Sequence, residues 1–432
     1  MRMEREEFGN TGNGNMSSGV SPVRQETESA EYERICREIR RALTDRLRSE
    51  EEPDDDKIRD IISEMVMNHT EAKRLPVGSR VALSRELFCS VRRLDILQDL
   101  IEDKTVTEIM VNGPDCIFIE QSGKIRLWDR RFSSREKLED VVQQVAGACN
   151  RVINEQNPIV DARLADGSRV NAVIAPVALN GPILTIRQFP ESPITMDDLT
   201  EYGSITDEAA HFLKELVQAG YSIVISGGTS AGKTTFLNAL SSYIPGSERI
   251  ITIEDNAELQ IQGIQNLVRL EAKLANFDEN REVTIRDLIK SALRMRPDRI
   301  IVGEVRSGEA VDMLTAFNTG HDGSLCTIHA NSCEDAVSRL EMCVLMGLDL
   351  PLPAIRRQIA SGVDIIIQLG RLRDRSRRVL EISEVDGMEN GEVRLHPLYL
   401  WDDEAQILRK MGELKHRRKL VRSGLTDGQE VR

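Results

Sequence analysis

The chain has 432 residues, 40% of them hydrophobic and only 4% aromatic, and carries a formal net charge of -14. That length suits two or three cored domains, since single domains rarely grow much beyond ~250 residues. The acidity and the scarcity of rings argue against a general nucleic-acid surface, which needs a positive footprint and stacking platforms.

Residues 1–30 are rich in Gly, Ser, Asn, Glu and Thr and are expected to be disordered, because they cannot bury enough apolar surface to order themselves. A helical region follows over 31–103. Ile35, Ile39 and Leu43 recur every four residues, and Ile61, Ile62, Met65 and Val66 share one helix face. An acidic break from Ser49 to Asp56 separates the first helix from the next. A small α/β lobe is predicted over 104–188. Its strands are expected near 108–111, 117–120, 124–128, 159–163, 169–174 and 183–188, with a helix over 135–149. Asp166-Gly167-Ser168 reads as a hairpin loop.

Pro190 and Pro193 interrupt the pattern and mark a linker over 189–206. From 207 to 400, helices alternate with apolar, β-rich runs, the signature of a largely parallel sheet covered on both faces. From Val363 onward the rhythm turns antiparallel, with strands at 363–369, 379–385 and 393–400. Residues 401–432 form a basic tail holding Arg409, Lys410, Lys415, Arg417, Arg418, Lys419 and Arg422. It reads as a solvated helix, or as a contact for anionic lipid or an acidic partner loop. The basic turn Arg371 to Arg378 reads as an exposed hairpin tip or a docking point for a partner. No repeat of 20–50 residues is present.

Seven cysteines without a C-x-x-C pair suggest neither a disulfide framework nor a four-cysteine zinc site. They read as small buried hydrophobes in a reducing cytosol. No apolar run approaches the ~20 residues of a membrane span. The charged start, Arg2, Glu4, Arg5, Glu6 and Glu7, contains no signal-peptide core. The expected location is cytoplasmic, and any work on a membrane would pass through a partner.

The chemistry concentrates after four apolar runs. Tyr221 to Ser226 leads straight into Gly227-Gly228-Thr229-Ser230-Ala231-Gly232-Lys233-Thr234-Thr235, a G-x-x-x-x-G-K-[ST] loop followed by a helix-like segment. The glycines let backbone N–H groups turn inward around phosphate oxygens, and the helix start adds a favourable partial charge. Lys233 is expected to reach the β- and γ-phosphates of ATP, and the Thr234 hydroxyl to ligate Mg²⁺. Ile250 to Ile253 delivers Glu254 and Asp255, with Glu258 beyond; Arg299 to Gly303 delivers Glu304 and Arg306; Ser324 to Ile328 delivers His329. Ligands of open α/β sheets bind beyond the carboxyl ends of the strands. Glu304 is therefore a candidate general base or Mg²⁺ organiser, the alternative being a strand-end ion pair with Arg306. Glu254 is a candidate for polarising the attacking water or holding Mg²⁺ through water. Glu258 reads equally as a helix-start charge. His329 is a candidate γ-phosphate sensor, and His321, between Gly320 and Gly323, a weaker one. Arg163, Arg169 and Arg187, just before the linker, are candidates to balance charge in phosphoryl transfer, or else pair with Asp161 and Asp166.

These residues resemble a known family, the type II/IV secretion and type IV pilus assembly ATPases, and within it the tight-adherence (Tad/CpaF-type) branch. The matching stretches are Val106 to Pro114, Val160 to Ala172, the glycine loop, Ile253 to Leu259, Leu293 to Arg306, and Thr319 to Asn331. The last three look like the family's Asp box, Walker B region and His box. Ser307 stands where many members have Gly, and the four-cysteine zinc insert of some type II secretion ATPases is absent, which fits the tight-adherence branch. The resemblance implies a homohexamer of two-lobed subunits, each with an N-terminal α/β lobe joined to a RecA-like lobe. ATP would bind between the lobes, with N-terminal arginines approaching the γ-phosphate. It also implies work, at the inner face of the cell membrane, on polytopic platform proteins that assemble pili or secrete substrates. Two other readings stay open: a RecA-like nucleic-acid translocase, which lacks the expected basic and aromatic loops here, and a non-motor switch that binds ATP to signal occupancy.

Overall fold

The computed structural model describes residues 22–47, 54–92, 94–121, 123–149, 151–164, 166–188, 193–273 and 282–425. The chain divides into two compact units, the first ending at Pro190 and the second beginning at Glu191.

The first unit opens with helices α1 (Pro22–Leu47), α2 (Asp55–Asn68) and α3 (Val77–Arg92). Four-residue spacing puts Ile35, Ile39 and Leu43 of α1 on one face, where they meet Ile58, Ile61 and Ile62 of α2 and Leu83 and Leu87 of α3 in a closed core. Asp54 caps α2 by accepting the Lys57 N–H at 2.8 Å. Because α1 begins at Pro22, it corrects the disorder expected for residues 1–30 over its last part. Proline is tolerated in a first helical turn, and Val23 to Ala30 contains no further Gly or Pro to break the ladder. Residues 1–21, and most of the acidic break, lie outside the described residues.

After α4 (Gln98–Glu102) come β1 (Val106–Asn112), β2 (Ile117–Gln121), β3 (Lys124–Leu127), α5 (Arg135–Ala148), β4 (Ile159–Arg163), β5 (Arg169–Val173) and β6 (Ile183–Arg187). They form an antiparallel sheet ordered β3-β2-β1-β6-β5-β4. The apolar face of α5, with Leu138, Val141, Val142 and Val145, closes over one side of it.

The second unit begins inside the segment expected to be linker. Thr195 and Asp198 form a reciprocal capping box that starts α6 (Met196–Glu201), whose Met196 and Leu199 are buried. The linker reading of 189–206 is corrected there: two prolines hid a box whose acceptor is Asp rather than the commoner Glu. Then follow α7 (Asp207–Gln218), β7 (Ile223–Gly227), α8 (Lys233–Ser241), β8 (Arg249–Glu254), β9 (Asn266–Glu271), α9 (Ile285–Ala292), β10 (Arg299–Val305), α10 (Ala310–Asn318), β11 (Leu325–Ile328), α11 (Cys333–Gly347) and α12 (Leu352–Gly362). The chain closes with β12 (Ile365–Arg371), β13 (Arg377–Glu389), β14 (Glu392–Asp402), β15 (Ile407–Lys410) and α13 (Arg418–Ser423).

One sheet holds all nine strands, ordered β15-β14-β13-β12-β7-β11-β10-β8-β9. The run from β12 to β9 is parallel, and β13, β14 and β15 continue it antiparallel. Period-2 alternation divides the side chains. Ile223 and Ile225, with Ile365 and Ile367, pack under α7 and α8, whereas Val224 and Ile366 pack under the layer of α9 to α12.

The tail expected to be solvated is instead part of this unit. β14 runs past residue 400, β15 pairs with it, and Leu408, Leu414 and Leu420 are buried. The Tyr221 hydroxyl donates to His416 O at 2.6 Å, and Lys419 Nζ donates to Asp364 Oδ2 at 2.7 Å and Gly220 O at 3.1 Å. Counting basic residues concealed three apolar ones spaced to face inward. All seven cysteines are free, five of them buried. Among the described residues, no helix is long and apolar enough to cross a membrane.

Candidate functional site

Every residue of β7 is buried, and the strand runs without a break into the glycine loop that ends where α8 begins. Packing dictates two of its glycines. A Cβ at Gly227 would lie 2.8 Å from Leu369 O, and Gly232 sits at φ +93 with an added Cβ 3.3 Å from the Arg377 side chain. Ser230 also takes a left-handed backbone, at φ 60. Thr234 and Thr235 occupy the first turn of α8, where unpaired backbone N–H groups favour an anion. Thr229 and Ala231 complete the curve, Ala231 N donating to Gly228 O at 3.3 Å.

Lys233 is 8% exposed, so its charge needs partners. Its Nζ donates to Gly227 O and Gly228 O, each at 3.1 Å, and stands 3.1 Å from His329 Nε2. Burial pushes the lysine pKa down, opposed by the Glu304 carboxylate. His329 Nε2 in turn lies 2.7 Å from Glu304 Oε1, in close contact without hydrogen-bond alignment. Burial first, then the neighbouring Lys233, lowers the His329 pKa and favours a neutral ring. Arg306 donates to Glu304 Oε2 at 2.6 Å and reaches Asp255 Oδ2 at 3.3 Å. The four strands β8, β10, β11 and β7 are consecutive parallel neighbours, so their carboxyl ends bring Lys233, His329, Glu304, Arg306 and Asp255 into one connected chain. The strand-end ion pair of Glu304 with Arg306, one of the two readings of this carboxylate, is present.

Glu254 joins this rim from beneath. It is 3% exposed, its Oε1 accepting the N–H groups of Glu258 at 2.8 Å and Leu259 at 2.9 Å. Burial pushes its pKa up to about 7, against the pull of those two bonds. Gly303 makes room for it, since a Cβ there would fall 2.8 Å from Glu254 Cγ. Glu258 therefore meets Glu254 through its backbone. Thr327 ties β11 to β10 by donating to Gly303 O at 2.6 Å.

His321 does not belong to the rim. It precedes β11, at the strand end opposite His329, and its Nδ1 lies 3.3 Å from Ala316 O. Arg163, Arg169 and Arg187 are brought together with one another in the first unit. Arg163 is the register partner of Arg169, Arg169 that of Arg187, and Arg187 that of Glu108, making one row across four strands. Arg163 Nε also donates to Gly167 O at 3.1 Å.

The donor set fits a magnesium–phosphate ligand. Glu254 Oε2 and Glu304 Oε1 are buried oxygens without a hydrogen-bond donor among the described residues. No cluster of three or more His, Cys, Asp or Glu side chains suited to a metal occurs among those residues. Mg²⁺ suits such a sparse site, because it takes one or two carboxylates together with water and phosphate oxygens.

Sequence reasoning missed a cavity of about 290 Å³ beside the loop, lined by Ala231, Gly232, Thr235 and Phe236 on one side and by Leu369, Val379 and the turn Arg375 to Arg378 on the other. The run of arginines was visible, but nothing in one sequence says that a hairpin 147 residues downstream folds over this loop.

Residues 91–408 match the family model described as type II/IV secretion system protein. A Mycobacterium tuberculosis protein named for conjugal transfer is 35% identical, over 71% of this chain and 87% of its own. The type IV secretion system protein PtlH of Bordetella pertussis is 33% identical, over 68% of this chain and 95% of its own. Among solved structures, the chain is similar to the VirB11 ATPase of the Brucella suis type IV secretion system, at 30% identity over 67% of this chain and 95% of that one, with a TM-score of 0.37.

Proposed function

The chain belongs to the type II/IV secretion system protein family, and on that premise we propose that it is a Mg²⁺-dependent ATP hydrolase whose second unit is a RecA-like P-loop lobe. The observation that carries the reading is the contact chain from Lys233 through His329 to Glu304 at the carboxyl rim of four parallel strands. The N–H groups of Gly228 to Thr235 and the Lys233 ammonium bind the β- and γ-phosphates, Lys233 exchanging the carbonyls of Gly227 and Gly228 for phosphate oxygens. The Thr234 hydroxyl, Glu304 and, through water, Glu254 would hold Mg²⁺, which would supply neutralisation of phosphate charge. Glu304 is the general base that takes a proton from the attacking water, and Arg306 orients it. His329 senses the γ-phosphate, because any movement of Lys233 toward phosphate changes its own contact with both Lys233 and Glu304. On the family resemblance, Arg163, Arg169 and Arg187 of the first unit are the candidates to supply cations to the charge that would spread during transfer.

The biological reading is a cytoplasmic homohexamer at the inner face of the membrane. It would convert lobe movement into work on polytopic platform proteins of a Tad-type pilus. That branch is supported by the motif stretches from Val106 to Asn331 and by the absence of a zinc insert. The conjugal-transfer and type IV secretion names of the relatives favour a second reading, service to an export apparatus instead of a pilus. Steady-state ATP turnover tests the enzymatic core. Wild type is expected to hydrolyse ATP only with Mg²⁺, and Lys233→Ala to lose at least about 100-fold in rate. A mutant as active as wild type refutes the site.

A further inference from the structure

The turn between β12 and β13 carries Arg371, Arg373, Arg375, Arg377 and Arg378 within eight residues, and the catalytic rim uses none of them. It is a built turn. Asp374 Oδ1 accepts from Ser376 N at 2.9 Å and Ser376 Oγ at 2.7 Å, and Arg375 N donates to Leu372 O at 2.9 Å. Its position follows from strand register. Leu369 of β12 is the partner of Gly227 of β7, so the hairpin rises beside the loop that β7 feeds.

There Arg377 Nε donates to Ser230 O at 3.0 Å. Ser230 is a non-glycine residue at φ 60, a left-handed conformation that is unfavourable for an L-residue and needs surrounding contacts to persist. The C=O and following N–H of a trans peptide point to opposite sides. Holding Ser230 O toward the hairpin therefore turns Ala231 N–H the other way, toward Gly228 O, the carbonyl that Lys233 Nζ also reaches. The guanidinium thus holds the orientation of the Ser230–Ala231 peptide within the loop.

We propose that Arg377 is a positioning residue for the nucleotide, holding the Ser230 peptide so that the phosphate loop is set before the triphosphate arrives. The proposal rests on the ATPase reading above and adds to it a residue outside the loop, the rim and the arginine row. Pre-setting acts on binding, so loss of Arg377 is expected to raise KM with little change in kcat.

The test compares ATP turnover by the full chain as wild type, Arg377→Ala and Arg373→Ala, with thermal unfolding as a control for folding. Arg373 lies in the same turn and controls for bulk charge. Arg377→Ala is expected to raise KM for ATP about tenfold, as suits loss of one charge-assisted hydrogen bond, with kcat within about twofold and partial rescue by added guanidinium ion. Arg373→Ala is expected to keep the wild-type KM. An unchanged KM in Arg377→Ala, or an equal rise in both mutants, overturns the positioning role while leaving the ATPase reading intact. A wild-type chain that neither binds nor hydrolyses ATP removes both.

Discussion

Glu254 and Glu304 end neighbouring parallel strands, yet their surroundings divide their work. Glu304 keeps its carboxylate between Arg306 and His329, whereas Glu254 sits under Gly303 and braces the turn to Leu259. The sequence placed both acids at strand ends. It could not tell which was buried, because that depends on the missing side chain of Gly303 and on backbone donors supplied four and five residues later. Burial has a consequence for pH. Below about 4.5 both folded and unfolded chains hold the Glu254 proton. As pH rises past that value the unfolded chain releases it first, so the folded state loses stability until its own pKa of about 7, and the loss then stays constant. Glu254→Gln removes the ionisation while keeping an acceptor for the two N–H groups. Urea unfolding is expected to show the variant and wild type nearly equal at pH 4, and the variant more stable by on the order of 3 kcal/mol at pH 8. A difference that does not change with pH contradicts the assignment.

At the scale of elements, long periodic segments were legible and short capped ones were not. The strands expected at 117–120, 159–163 and 183–188 occur within a residue of their observed bounds, but the antiparallel rhythm expected from Val363 begins one strand later, since β12 still pairs parallel with β7 and only β13 onward runs antiparallel. Helix α6, strand β9 and the β15–α13 tail escaped notice: α6 and α13 have only six residues, and the strands lie in mixed polar stretches. The tail shows what composition conceals. Its basic residues suggested solvent, but Lys419 is pinned between Asp364, Asp322 and Gly220 O at the end of the sheet opposite the glycine loop. Burial raises the Asp364 pKa, and Lys419 opposes the rise. Lys419→Met would leave that carboxylate without its nearest cation. The expected result is a loss of about 1–3 kcal/mol at pH 7, read as a lower thermal unfolding midpoint. A midpoint equal to wild type would mean the tail is only laid against the unit.

Over the whole molecule, each unit has its own sheet and core, and the nine-stranded sheet sets the chemistry by aligning four carboxyl ends. The arginine row of the first unit is equally a product of strand register, since three antiparallel partners put Arg163, Arg169 and Arg187 side by side. Motif spacing made the rim legible, because each motif follows an apolar run that had to be a buried strand. Contacts between distant segments, such as Arg377 with Ser230, were not, because they arise only when the sheet is assembled. The claim on which all of this depends is that Glu304 works chemically on a triphosphate held at Lys233. Glu304→Gln preserves size and removes the base, so the decisive measurement is ATP affinity and single-turnover hydrolysis in that variant. Near-wild-type affinity with hydrolysis slowed by at least about 100-fold is the predicted result. Hydrolysis at the wild-type rate would contradict it.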